Sequence, residues 1–290
     1  MQLTLEEKYR TYYPPQSQLL KWVGNKQKFA AEITKYFPLE YGKYFEPFIG
    51  SGAILATVAP HSGIGSDTFK PLIDIWKMLK AEPEQLIVWY SERRNRIKTE
   101  DKIKVYHDIL SSYNKQPNGA DFLYLSRSCY GGIIRFRKSD GYMSTPCGAH
   151  TPIPVDSFRK RVNEWRNRIK NVDFIHCDYT ESIRQAKFND LVYCDPPYSH
   201  SQSILYGAQD FQLETLLLEI DKAKSRGVKV ALSIDGHKKS GNQLCDLPIP
   251  KDLFKNEIYI DCGISMLRRF QLEGQTLESE NVSDRLLLTY

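Results

Sequence analysis

The chain has 290 residues, 41% hydrophobic and 26% charged, which excludes disordered, collagen-like and coiled-coil classes and accommodates one large α/β domain or one domain carrying an insertion. Its net charge of +5 is unevenly spread: residues 86–171 carry 17 Lys plus Arg against 8 Asp plus Glu, a local net of +9, and the remainder carries 23 against 27, a net of −4. Such a basic segment fits either a footprint for a polyanion, most often nucleic acid, or a solvated face.

The opening residues, Met1 to Pro15, have no apolar core of a signal peptide, and no stretch approaches the roughly 18 apolar residues of a membrane span. Six cysteines, Cys129, Cys147, Cys177, Cys194, Cys245 and Cys262, occur without a CxxC pair or a zinc-site spacing. Free thiols in a reducing, cytoplasmic setting are expected, and no metal site. The segment Leu20-Lys21-Trp22-Val23-Gly24-Asn25-Lys26 then precedes a helix. Trp22 offers a stacking or packing surface and Lys26 a cation near a helix start. Taken alone, the segment is better read as a core Trp and a surface Lys.

A strand over 43–46 runs through Glu46-Pro47-Phe48-Ile49-Gly50-Ser51-Gly52 into a helix over 53–58. Gly50 and Gly52 would let a ligand approach the backbone closely. A second strand over 64–67 ends on Asp67, the position from which a carboxylate accepts hydrogen bonds from ribose hydroxyls. The pair suggests an adenosine-containing ligand. No Gly-x-x-x-x-Gly-Lys-Ser/Thr run is present, which disfavours a P-loop nucleoside triphosphatase.

Strand and helix alternation lapses between 86 and 171, the same span that carries the positive charge. Helical patterns over 85–97 and 101–112 are followed by Gly131 to Pro146, in which Asp140-Gly141 lies between two alternating runs, a hairpin signal. Coincidence of charge and structural break favours an inserted nucleic-acid-binding module. Arg159, Lys160, Arg161, Arg166 and Arg168 read as backbone contacts or as a solvated helix face.

Alternation then resumes with strands over 172–176, 190–194 and 228–233, and two more candidates at 257–261 and 285–290. Leu213, Leu216, Leu217, Ile220 and Ala223 follow a helical spacing, stopped by Gly227. The predicted architecture is a doubly wound, mostly parallel seven-stranded α/β sheet with an inserted helical and β-hairpin module. The most informative residues are Asp195-Pro196-Pro197-Tyr198, directly after the apolar run 191–194. A strand ending in Asp puts a carboxylate at the carboxyl edge of the sheet, where open α/β sheets bind ligands. The two prolines stiffen the loop. The Asp195 carboxylate and Pro196 carbonyl can then accept hydrogen bonds from an exocyclic amine while Tyr198 offers an aromatic face. As a bare tetrapeptide it could also be an ordinary strand-ending turn, a reading that its position at the sheet edge disfavours.

Taken together and in this order, these elements resemble the Dam-type family of DNA adenine N6-methyltransferases, the D12 class. Lys21 to Lys26 matches its Lys-Trp-x-Gly-Gly-Lys segment with Asn25 in place of a glycine, Glu46 to Gly52 its Glu-Pro-Phe-x-Gly-x-Gly segment, Asp67 the following acidic position, and Asp195 to Tyr198 its catalytic Asp-Pro-Pro-Tyr. The resemblance covers nearly the whole chain. It implies that Trp22, Lys26, Asp67 and Asp195 bind S-adenosylmethionine, with Glu46, Pro47, Phe48, Gly50 and Gly52 beneath it and Asp178 as a further acidic contact. Ser233 occupies the place of a Leu-Ser-Asn segment but lacks the Asn. Residues 86–171 would be the target recognition domain between the catalytic halves 1–85 and 172–290. Arg127, Arg135, Arg137 and Lys138 would be the DNA-binding residues, with Arg135 at the place of a guanine-reading Arg. Gly131 stands where members reading GATC tend to have Asn, so that specificity does not transfer.

The resemblance further implies methyl transfer to N6 of an adenine flipped out of duplex DNA, with Tyr198 stacking on the base and neither a metal nor a covalent enzyme intermediate needed. Tyr206 and Phe211 would close over the base or pack in the core. A monomer is expected, with a restriction endonuclease as a partner acting separately. Two alternatives stay open here: methylation of N4 of cytosine, and a catalytically silent DNA-binding regulator.

Overall fold

The computed structural model describes residues 11–197, 211–238, 249–250, 252–264 and 281–290. Short apolar runs pair into one seven-stranded sheet: β1 (Tyr44–Glu46), β2 (Gly63–Asp67), β3 (Val172–His176), β4 (Leu191–Cys194), β5 (Lys229–Lys238), β6 (Asn256–Ile264) and β7 (Asn281–Leu288). The order is β3-β2-β1-β4-β5-β7-β6. The first five strands pair in parallel, and β7 lies antiparallel between β5 and β6. Residues of β1, β2 and β4 are all buried, as a parallel sheet covered on both faces requires.

Each predicted strand is present, with ends displaced by a few residues. The helices fill two layers: α1 (Ala30–Thr34), α2 (Ala53–Val58), α3 (Lys70–Ala81), α4 (Pro83–Asn95), α5 (Lys102–Lys115), α6 (Gly119–Ser128), α7 (Val155–Ile169), α8 (Tyr179–Gln185) and α9 (Leu213–Ser225). Local chemistry sets their ends. Asp101 caps α5 by accepting from the Ile103 and Lys104 amides, Asn118 caps α6 and Asp178 caps α8. Gly227 (φ +77°) follows α9, where an αL residue closes the helix. The predicted helix over 85–97 is α4 followed by a 3-10 turn at Arg96–Lys98.

Period-2 alternation sorts the strand side chains between two cores. Tyr44, Leu191 and Tyr193 face a cluster shared with α1 to α7, while Phe45, Val192 and Cys194 face one shared with α8 and α9. Every helix of the basic segment therefore lies over one sheet face. In that layer Trp76 of α3 stacks between Phe174 of β3 (5.8 Å between centroids) and Trp165 of α7 (5.7 Å). The boundary expected at 85/86 falls inside α4. The apolar cluster runs without a break from Tyr44 through Tyr90, Tyr106 and Phe122 to Trp165, so the interruption is one of sheet connectivity, and packing is continuous across it.

The hairpin signalled by Asp140-Gly141 forms. Arg137 and Tyr142 are joined by a 2.9 Å amide-to-carbonyl bond, Ser144 donates to the Arg135 carbonyl, and Gly141 turns the chain at φ +66°. Its arms form isolated bridges, Phe136 with Met143 and Cys129 with Cys147, in place of a continuous ladder. Among the described residues no helix is long and apolar enough to cross a membrane.

Candidate active site

Strand order reverses between β1 and β4, the switch point at which open α/β sheets leave a crevice. Four chain turns bring carboxylates to that edge: Glu46 ends β1, Asp67 ends β2, Asp178 follows β3 and Asp195 follows β4. They line one cavity of about 310 Å³ together with Trp22, Lys26, Pro47, Phe48, Gly50, Pro196 and Pro197. Phe211 lines it too, packed edge-on to Phe48 at 5.9 Å. Gly52 lies behind the wall as the N-cap of α2. Ser233 is buried in β5 and is absent from the lining. Tyr198 and Tyr206 lie outside the described residues.

The glycines of the β1 turn are required by geometry. Gly50 has φ +44°, and a Cβ there would meet Trp22 Nε1 at 2.8 Å; Gly52 has φ +63°, and its Cβ would meet Trp76 at 2.9 Å. Both conformations favour glycine, and a Cβ at either position would have to displace an indole. Trp22 thus packs on the turn with its ring in the cavity wall, while Trp76 Nε1 donates to the Gly50 carbonyl. Asp67 ties the turn to β2 by accepting from the Gly50 amide (3.2 Å) and the Phe69 amide (3.0 Å). Burial raises its pKa to about 6 against the lowering effect of those amides. A buried carboxylate beside an aromatic-lined cavity suits the hydroxyl donors of a ligand.

Glu46 is buried, accepts a 2.6 Å bond from the Tyr44 hydroxyl, and has its pKa raised to about 8, chiefly by desolvation, with the Asp195 charge adding to the rise. Lys26 departs from the reading of a surface cation near a helix start. Its ammonium is buried, 2.6 Å from Asp284 Oδ2 and 3.4 Å from Asp195 Oδ1. Burial opposes its charge, and the two carboxylates outweigh burial, so it is held protonated. Asp284 is the functional-site neighbour that sequence reasoning missed. Its only signal is a lone acid beside the apolar run of the last strand.

The residues expected on DNA divide. Arg135 and Lys138 are exposed on the hairpin, and Arg137 is exposed with its guanidinium 4.0 Å over the Tyr142 ring. Ile134, at the hairpin base, lines the cavity, which joins the basic hairpin to the carboxylate site. Arg127, by contrast, is buried, donates to the Leu19 and Gln18 carbonyls and lies over the Phe158 ring. The charge excess of 86–171 is partly spent the same way. Arg161 donates to the Gln18 carbonyl, Arg168 to the Tyr13 and Ala56 carbonyls, and Arg159 pairs with Glu84. Arg161 and Arg168 clamp the N-terminal segment; Lys160 and Arg166 face solvent.

A doubly wound sheet with carboxylates gathered at its switch point, next to a basic hairpin, has the layout of an α/β enzyme. The chain belongs to the D12 class N6 adenine-specific DNA methyltransferase family, whose pattern matches residues 22–261. It is 26% identical over 236 residues to the DNA adenine methylase of Vibrio cholerae, covering 75% of this chain and 81% of that one. It is 28% identical over 286 residues to the type II methyltransferase M1.LlaDCHI of Lactococcus lactis subsp. cremoris, covering 93% of each. A retron DNA adenine methylase of Escherichia coli is 29% identical over 188 residues, 63% of this chain and 64% of its own. Among solved structures, the rRNA methyltransferase aviRa of Streptomyces viridochromogenes aligns over 91% of this chain and 84% of its own, with a TM-score of 0.37 and 10% identity, too distant to bear on function. The protein is an adenine-specific DNA methyltransferase; the N4-cytosine and catalytically silent readings are set aside.

Proposed function

We propose that the enzyme transfers a methyl group from S-adenosylmethionine to N6 of one adenine in a short sequence of double-stranded DNA, the target base being flipped into the cavity at the switch point. The observation that carries this reading is the joint lining of one cavity by Asp67 and Trp22 on one side and by Asp195 and Pro196 on the other. The donor set fits the cofactor: buried Asp67 suits ribose hydroxyls, Phe48 and Trp22 supply apolar surface, and Asp178 lines the same cavity as a further acidic contact. When bound, S-adenosylmethionine supplies a methyl group already activated on a sulfonium.

Everything else falls to the chain. Adenine N6 lies inside the base stack, and base flipping is the general means of reaching such an atom. The Asp195 carboxylate and the Pro196 carbonyl accept hydrogen bonds from the amino group, which frees its lone pair for the methyl carbon and stabilises the positive charge that develops on nitrogen. Holding amine and methyl in line supplies much of the rate. Pro196 is buried and Pro197 half-buried, so this pair of acceptors sits on a stiff loop. Tyr198 stacks on the flipped base. Arg135 reads a base edge from the hairpin, Arg137 and Lys138 contribute there, and remaining exposed cations position the duplex through phosphates.

The enzyme works as a monomer in the cytoplasm. The type II name of its Lactococcus relative supports a separate restriction endonuclease acting beside it. The deciding experiment is transfer of tritium from methyl-labelled S-adenosylmethionine to plasmid DNA. Wild type should label adenine at N6. Asp195→Ala should lower kcat by at least about a thousandfold, since the oriented acceptor acts mainly on the transition state, while DNA binding persists. Label in cytosine, or full activity of Asp195→Ala, would falsify the reading.

A further inference from the structure

The hairpin that carries Arg135 is fastened to the rest of the molecule through its second arm. Asn114 of α5 holds Met143 on both sides: its side-chain oxygen accepts from the Met143 amide (2.7 Å) and its side-chain amide donates to the Met143 carbonyl (3.1 Å). Tyr106, also on α5, donates to the Thr145 carbonyl at 2.7 Å, and Tyr106 and Thr145 are both buried. From that fixed arm Thr145 reaches across to the first. Its hydroxyl donates to the Ile133 carbonyl (2.9 Å) and accepts from the Arg135 amide (2.8 Å). In a regular antiparallel pair Arg135, whose carbonyl accepts from the Ser144 amide, would donate to the Ser144 carbonyl in return. The Thr145 side chain takes that place.

One hydroxyl therefore holds the backbone on either side of Ile134, whose side chain lines the carboxylate cavity, and holds the amide of Arg135, whose side chain is exposed. The residue that faces the cavity and the residue that faces solvent share an anchor. Phe136 also packs edge-on to Phe69 at 5.7 Å. Apolar ring packing is non-directional and tolerates a slide along the arm, whereas a pair of hydrogen bonds at one oxygen, one given and one accepted, fixes the register. A side chain that reads a base edge needs such a fixed backbone, because bidentate contacts depend on geometry. We propose that Thr145, on an arm that Asn114 anchors, is a positioning residue for sequence reading: it sets Arg135 and Ile134 as one piece, so that a base edge that Arg135 meets badly also disturbs the cavity wall. This inference rests on the assignment of the hairpin as the base reader.

The test compares kcat/KM of the full chain on a short duplex carrying its recognition sequence with kcat/KM on duplexes in which one base pair outside the target adenine is replaced. The recognition sequence is taken from modified adenines mapped in a genome expressing wild type. Discrimination is the ratio of the two values, read at the base pair where Arg135→Ala lowers it most. There Thr145→Val, which keeps the shape and removes the hydroxyl, should lower discrimination by about tenfold. Thr145→Ser, which keeps the hydroxyl, should stay within about threefold of wild type. In the Arg135→Ala background, Thr145→Val should change the ratio by less than about twofold, because the side chain it positions is gone. A merely structural role would lower Tm and leave the ratio at its wild-type value. Should Thr145→Val not fold, Asn114→Ala takes its place, with a loss of about fivefold or more expected. The proposal is overturned if the folded variant discriminates within about twofold of wild type, or if Thr145→Ser loses as much as Thr145→Val. If Arg135→Ala lowers discrimination and Thr145→Val does not, this inference alone fails. If Arg135→Ala lowers it at no base pair, the assignment of the hairpin as base reader fails, and this inference with it.

Discussion

Glu46 ends β1 with a buried carboxyl, and burial raises its pKa from 4.5 to about 8. A raised carboxyl holds a proton in the folded state that the unfolded chain has already released. The sign follows from linkage: its contribution to stability is largest at low pH and is lost as pH rises through that window. The unfolding free energy of wild type, relative to Glu46→Gln, should therefore fall between about pH 5 and pH 8, at most by about 1.4 kcal/mol per pH unit. Urea denaturation at a series of pH values reads this directly, and Asp67, also raised, cancels in the difference. A difference that stays flat would mean that Glu46 is ionised in the fold. Arg127 and Arg135 separate structure from recognition. Removing the buried, hydrogen-bonded Arg127 guanidinium by Arg127→Ala should cost about 2 to 4 kcal/mol and leave the salt dependence of DNA binding unchanged. Arg135→Ala should do the reverse. Weakened DNA binding by Arg127→Ala with an unaltered Tm would return that residue to the interface.

The turn between β1 and α2 shows how an element is shaped by what crosses it. Gly52 is the αL cap of α2 and rests against Trp76, which in turn packs at a tilt on Trp165. Gly52→Ala should destabilise by about 1 to 3 kcal/mol, through positive φ and overpacking combined, seen as a lowered Tm. An unchanged Tm would mean that the indole moves aside freely. The hairpin and α7 illustrate the opposite relation, in which similar composition serves different ends. Arg135 projects from a hairpin held by few backbone bonds, whereas Arg161 reaches inward to the Gln18 carbonyl. Mapping modified adenines across a genome expressing each variant should show relaxed or lost specificity for Arg135→Ala. The Arg161→Ala map should match wild type, with its effect confined to stability. Equal changes at both positions would remove the hairpin as the base reader.

At the scale of the molecule, the basic segment shares its apolar cluster with the sheet. Phe158, Val162 and Trp165 of α7 lie in the same cluster as Tyr44 and Val172. A fragment of residues 86–171 should accordingly fail to fold cooperatively, because the removed sheet and α3 would leave one side of that layer in water. Circular dichroism melts of the fragment check this; a sharp transition would make it an independent domain.

The strands, the Gly-containing turn and the Asp195-Pro196-Pro197 loop were legible in the amino-acid sequence because each is written in adjacent residues. Apolar runs, turn formers and the acids Glu46, Asp67 and Asp195 are local signals, and an open parallel sheet wound from its middle has a switch point. The fates of the cations were not legible. Arg127 and Arg135 carry the same charge in the same basic stretch, and burial, which sends one to the Leu19 carbonyl and the other to solvent, is a property of packing. Lys26 and Asp284 are 258 residues apart, and no spacing rule connects them. The sequence by itself thus determined the class of sheet and the edge at which the carboxylates gather. Tertiary structure alone decided which basic side chains stay exposed and which lysine stands beside Asp195, because both depend on surfaces that meet only when the chain folds.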